Sequence, residues 1–164
     1  MPDYLPALKG QMGDWIYYVT VMKFGKVARE CRSAEEILTQ VDSDHPIQRA
    51  TEDGVNQDIV PHILNQMRGF YGAIVVAVYG GEPEFSPVYV DKYDLFGGGL
   101  GVLRFDGSQV YYALDGQRRL KSIQEAIRLN ADLAKEQIVV IILKHEKTKA
   151  GIERTRRLFS NLRT

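Results

Sequence analysis

Val110-Tyr111-Tyr112-Ala113-Leu114-Asp115-Gly116-Gln117-Arg118-Arg119-Leu120-Lys121-Ser122-Ile123 passes from one structural period to another. Val110 to Leu114 is β-branched and aromatic, which suits a strand. Beyond Asp115-Gly116, apolar Leu120, Ile123 and Ile127 recur at helical spacing. Lys121, Gln124, Glu125 and Arg128 fall on the opposite side, so an amphipathic helix follows the strand. Just upstream, Val102-Leu103-Arg104-Phe105 and Val110–Leu114 flank Asp106-Gly107. Asp-Gly between two strand-like runs predicts a hairpin, with Ser108-Gln109 lengthening its loop. Downstream, residues 137–144 read as a buried strand. Residues 150–162 read as a helix with Ile152, Leu158, Phe159 and Leu162 inward. Alternating strands and helices predict an α+β fold, a mixed sheet with flanking helices rather than a helical bundle.

Toward the N-terminus, Trp15 to Phe24 reads as a strand that Gly25 ends. Ser33-Ala34-Glu35-Glu36 has capping-box spacing and predicts a helix over 34–40. Asp42 to Pro46 is a loop. Ile59, Ile63, Leu64 and Met67 predict a helix over 56–68, with Pro61 in its first turn. Ala73 to Tyr79 is a continuous apolar run, a buried strand broken by Gly80-Gly81-Glu82-Pro83. Val88-Tyr89-Val90 is a candidate short strand. Gly97-Gly98-Gly99 is a loop and not a G-x-G-x-x-G phosphate cradle, because position 102 is Val.

The chain has 164 residues, with 45% hydrophobic and 26% charged, which fits one globular domain with its own core. Cys31 is the only cysteine, which excludes an internal disulfide framework and a cysteine zinc knuckle. No apolar run approaches a membrane span, and the start lacks a secretory pattern, so a cytoplasmic protein without membrane contact is expected. The net charge of zero hides a split. Residues 1–100 carry 8 Lys+Arg against 14 Asp+Glu, and residues 101–164 carry 13 against 7. The basic half can face an anion or nucleic acid, or it can attract the acidic half or a neighbouring subunit.

Chemistry concentrates at residues 115–119. Asp115 is the N-cap candidate, and Arg118 and Arg119 then sit at the positive end of the helix dipole. Two cations there are unfavourable by roughly 0.3–1 kcal/mol each. A bound phosphate would offset that cost, held by backbone N–H groups, two guanidinium forks and the close approach Gly116 permits. The alternative is that both arginines reach solvent or pair with acidic residues. A second basic group, Lys144, Lys147, Lys149, Arg154, Arg156, Arg157 and Arg163, lies on or near the last helix. It is either a solvated face or a surface for nucleic-acid phosphates. Adjacent Tyr111 and Tyr112 must point to opposite faces of their strand, one into the core and the other into packing or onto a base. His45, His62 and His145 lack metal-ligand spacing, so no metal site is expected. Cys31 reads as a small core residue in a short helical stretch with Val27. No G-x-S-x-G supports serine hydrolase chemistry, and no residue is assigned a catalytic role.

Asp115-Gly116-Gln117-Arg118-Arg119 resembles the signature of the DGQHR family, which includes the DndB proteins of DNA phosphorothioate-modification clusters. The family's usual His is Arg118 here. Tyr4 to Gly10, Gly13 to Tyr18, Ile47-Gln48-Arg49, Val75 to Gly81 and Glu153 to Phe159 are similar to further family blocks. The resemblance covers nearly the whole chain and implies one DGQHR/DndB-like domain over 1–164, a short or truncated form of a longer protein. Gly116 to Lys121 is more distantly similar to the G-E-R-R-x-R stretch of ParB-type proteins and the G-C-H-R stretch of sulfiredoxins, which implies a ParB/sulfiredoxin-like sheet. The sulfiredoxin nucleophile position is Gln117, and an amide cannot perform that reaction, so sulfinic-acid reduction is excluded.

The resemblance implies a DNA-binding transcriptional regulator of a phosphorothioate-modification, phage-defence gene cluster. Its partner would be promoter DNA, held through Arg154, Arg156, Arg157, Lys147 and Lys149, and it would act as a homo-oligomer. Asp115, Gly116, Gln117, Arg118 and Arg119, joined by Gln48 and Arg49, would bind phosphate or nucleotide. The alternative is a ParB-like module that binds or hydrolyses a nucleoside triphosphate with Mg²⁺.

Overall fold

The computed structural model describes residues 1–34, 72–92, 97–144 and 148–162. Its strands are β1 (Asp3–Met12), β2 (Trp15–Lys23), β3 (Cys31–Ser33), β4 (Ala73–Tyr79), β5 (Glu84–Pro87), β6 (Leu100–Phe105), β7 (Val110–Asp115) and β8 (Gln137–Lys144). They form one mixed sheet in the order β3-β7-β4-β8-β2-β1-β6-β5. Among the described residues, three helices complete the α+β fold: α1 (Phe24–Glu30), α2 (Gln117–Leu129) and α3 (Lys149–Leu162). A 3-10 turn, Ala131–Lys135, joins α2 to β8. Among the described residues, no helix is long and apolar enough to cross a membrane.

The two faces of the sheet build two cores. Leu5, Met22, Val76, Leu103, Tyr111, Val140 and Ile142 point to one face, where Val27 of α1 and Leu120 and Ile123 of α2 meet them. Burying one such Leu or Ile contributes roughly 1.5–3 kcal/mol, so the α2 stripe suffices to seat that helix. Ala77, Leu114 and Leu143 point to the other face, where Phe159 of α3 is fully buried. Ile152 and Leu158 support Phe159, as the sequence predicts. Leu162, expected inward, is exposed, and Gly151 and Thr155 take the buried positions.

The predicted hairpin does not form. β6 pairs with β1 and β5, and β7 pairs with β3 and β4. Four strands therefore stand between the two runs that flank Asp106-Gly107. The Asp-Gly pair still turns the chain: Asp106 Oδ1 accepts the Ser108 backbone N–H at 2.8 Å and its hydroxyl at 2.6 Å. The strands part because ladders with other strands already fill both edges of each. Five strand spacings are roughly 24 Å across a flat sheet. The chain from Phe105 to Val110 reaches at most roughly 17 Å. The sheet must therefore curl, and the rings of Phe105 and Tyr111 meet edge-to-face at 5.8 Å across the closure. Lys26 of α1 reinforces it, bonding Asp3 of β1 at 2.5 Å and Glu30 at 2.8 Å. Gln109 in the link reaches the same Asp3 carboxylate at 3.3 Å.

Other expectations resolve locally. β2, β4, β7, α2, β8 and α3 lie where the sequence places them, within a residue or two. β1 was not expected. Gly25 does not end the second strand; it lies inside α1, where a Cβ would come within 3.2 Å of the Ala134 Cβ. The strand after β4 is Glu84–Pro87 rather than Val88–Val90, whose side chains are exposed. Ala34, the start of the helix expected over 34–40, is buried in a turn; the rest of that helix, the helix expected over 56–68 and the loop between them lie outside the described residues.

Gly81 lines the closure. Its φ is +80°, and an added Cβ would stand 2.6 Å from the Gln109 Cβ and 3.0 Å from the Phe105 ring. Gly81→Ala is expected to lower stability by roughly 2–4 kcal/mol in urea unfolding, from left-handed strain plus overpacking.

Candidate phosphate and nucleic-acid sites

The turn at 115–119 is built by a bulge. Val76 opposes Ala113 but Val75 opposes Asp115, so Leu114 is the extra residue. A bulge bends its strand, and here it aims the chain into α2. Gly116 occupies the N-cap with φ 90° and ψ 25°, and no side chain caps the helix. This corrects the expectation for Asp115, which is the last, exposed residue of β7. The cap position needs a left-handed residue, and a Cβ there would meet Ile74 Cγ1 at 3.2 Å, so glycine fills it.

The remaining motif residues divide into inward and outward groups. Gln117 is buried, and its Nε2 donates to the Ala113 carbonyl at 2.9 Å. Arg119 is half-buried, and its Nη1 donates to the Ala73 carbonyl at 2.6 Å. Its guanidinium also lies against Gly72. The backbone at the start of β4 thus supplies Arg119 with a negative partner beside the helix dipole. Asp115 and Arg118 are exposed. Arg118 stands next to the first N–H groups of α2, which have no intrahelical acceptors. That exposed rim is the part of the motif able to meet an anion. Gln48 and Arg49 lie outside the described residues.

The basic helix is equally divided. The Arg154 guanidinium stacks on Trp15, 3.8 Å from the ring centroid, and its Nη2 donates to the Asp14 carbonyl at 2.8 Å. Arg156 is mostly buried and pairs with Glu153 at 3.3 Å. Lys149 and Arg157 are exposed, and Lys147 lies outside the described residues. α2 and α3 cover opposite faces of the sheet, so the two cation groups form two surfaces rather than one. The role of Trp15 as the seat of Arg154 was not foreseen; its place directly after the Gly13-Asp14 turn was the available signal.

Both tyrosines of β7 pack inside. Tyr111 is fully buried, and burial raises its pKa far above the ordinary value. Tyr112 is on the other face, edge-to-face with Tyr79 at 6.2 Å. Cys31 is a buried core residue, as expected, but it begins β3 instead of lying in a helix. His45, His62 and His145 lie outside the described residues. Among those described, no group of three His, Cys, Asp or Glu could hold a metal ion.

The described residues thus form a curled α+β sheet with a glycine-opened helix and an arginine-rich last helix. A family model described as DndB, DNA-sulfur modification-associated, matches residues 5–164, and the chain belongs to that family. No curated protein and no solved structure matches the chain.

Arg119→Ala is expected to cost roughly 1.5–3 kcal/mol, the value of a charge-assisted hydrogen bond. Arg118→Ala should stay within about 0.5 kcal/mol of the parent in the same denaturation experiment. Burial, with Glu30 adding to it, pushes the Cys31 thiol from 9.0 up to about 12. The folded thiol keeps its proton to higher pH than the unfolded one. Its contribution to stability is therefore complete below pH 9.0 and lost as pH rises toward 12. Iodoacetamide at a pH below 9.0 should label Cys31 only as fast as the chain opens.

Proposed function

We propose that this chain is a DndB-like regulator that binds promoter DNA of a DNA phosphorothioate-modification, phage-defence gene cluster in the cytoplasm. Membership in the DNA-sulfur modification-associated family supports the setting. One structural observation supports the DNA contact: α3 exposes Lys149 and Arg157 while Arg154 clamps the helix to Trp15. A helix held rigidly against the sheet presents cations at little further entropic cost on binding. Phosphates of the duplex are the matching groups, and such contacts fix orientation without reading sequence. The exposed rim at Asp115, Gly116 and Arg118 supplies a second anion contact, for a DNA phosphate or a nucleotide.

A second reading is supported by that same rim. In a ParB-like module, Arg118 and the N–H groups of α2 would hold triphosphate oxygens. Asp115 would give Mg²⁺ one carboxylate, with phosphates and water supplying the rest of its shell. Mg²⁺-dependent phosphate release by the parent chain, lost in Asp115→Asn, would favour this module over the regulator.

DNA binding followed by fluorescence anisotropy across a salt series tests the primary reading. Arg157→Gln and Lys149→Gln should each reduce the salt slope by about 0.9 and leave thermal stability unchanged. Arg154→Gln should instead lower the melting temperature, because it removes the stack on Trp15. Failure of both promoter and random DNA to bind at about 50 mM salt would overturn the reading, since phosphate contacts are strongest there.

A further inference from the structure

Among the described residues, no helix lies over about half of one sheet face, and that half is apolar. On β1 the outward residues are Tyr4, Pro6 and Leu8, opposite the face that buries Leu5 and Ala7. The register extends this surface sideways. Leu8 stands between Leu100 of β6 and Val19 of β2, and Val19 is followed by Ile141 of β8. Val102 adjoins Pro6, and Val139 adjoins Val21. Tyr4 is 60% exposed, Leu8 40% and Val21 48%. An antiparallel sheet with one solvated face alternates apolar and polar residues. β2 and β8 do not: both are apolar on both faces, the pattern of strands covered twice. α3 covers this face over β4 and β7 and over the adjoining ends of β8 and β2, where Ala77, Leu114 and Leu143 meet Phe159 and where Trp15 and Tyr17 pack. Apolar surfaces of this extent mark interaction sites.

The charges at the margin indicate the occupant. They have mixed sign: Glu84 beside Arg104, which is beside Tyr4, on β5, β6 and β1, and Lys23 at the end of β2. A nucleic acid needs one sign of charge and little apolar surface, so it does not fit. A second copy of the same chain does. A twofold axis parallel to the strands, between β1 and β6, lays each β1 on the other chain's β6. Leu8 then meets Leu100, Pro6 meets Val102, and Tyr4 meets Arg104. Lys23, on the far side of β1, turns toward Glu84, on the far side of β6. Like charges are kept apart, and two sheets packed this way bury both apolar faces about 10 Å apart.

We propose that the outer face of β5, β6, β1 and β2 is a homodimer interface, with Lys23 and Glu84 paired between subunits. Sedimentation equilibrium on the whole chain without DNA tests this independently of DNA binding. The parent should be a dimer. Leu8→Asp should raise the dissociation constant roughly 100-fold or more, since each change enters twice, with circular dichroism unchanged. Lys23→Glu should weaken the dimer roughly tenfold, and adding Glu84→Lys should restore it. A parent that stays monomeric at about 100 μM, well above the micromolar constants of weak specific interfaces, overturns the proposal and leaves the face to another partner. A dimer that Leu8→Asp does not weaken, or a charge reversal that does not rescue, also overturns it.

Discussion

The link from Phe105 to Val110 is too short for the strands it connects. Those strands have four others between them, and the link cannot span that width if the sheet is flat. The curl that resolves this brings Phe105 onto Tyr111 and against Gly81. Among the described residues, α1 and α2 pack on one side of the sheet and α3 on the other. Much of the tertiary arrangement follows from that one short connection. The charged groups of Asp106 and Lys26 beside the closure are partnered locally, Asp106 by Ser108 and Lys26 by the carboxylates of Asp3 and Glu30.

The motif at 115–119 depends on this frame more than on any ligand. The bulge at Leu114 and the left-handed Gly116 set the angle at which α2 leaves the sheet. Gln117 and Arg119 hold that angle by donating to carbonyls of β7 and β4. Two of the motif's polar residues thus act as braces, and two face outward. A sequence signature of this kind can be fold-determining and ligand-directed at once. In this motif the residues that brace the fold are the inward ones, Gln117 and Arg119.

How much was legible in the sequence follows from the range of the interactions. β4, β8 and α2 could be read because their apolar patterns are long and uninterrupted. β1 could not, because Pro6, Lys9 and Gly10 dilute its pattern, and only its neighbours β2 and β6 make it a strand. The Asp-Gly signal gave the turn correctly and the pairing wrongly. A turn is a local property, whereas the strand partner is decided by competition with β1 and β5. Arg119 was recognised as needing a negative partner, but that partner, the Ala73 carbonyl, is 46 residues away in sequence. Arg154 reaches the Asp14 carbonyl across 140 residues. No local pattern encodes such contacts.

The stack of Arg154 on Trp15 joins the far end of the chain to its first turn. Trp15 is the only tryptophan in the sequence. Its fluorescence therefore comes from one place, the seat of α3, and a guanidinium leaving the indole face changes the ring's surroundings directly. Any event that lifts or shifts α3, whether unfolding, a partner or a strand of DNA, becomes visible as a change in one emission band. The protein carries its own optical reporter at the point where α3 meets the first turn of the chain.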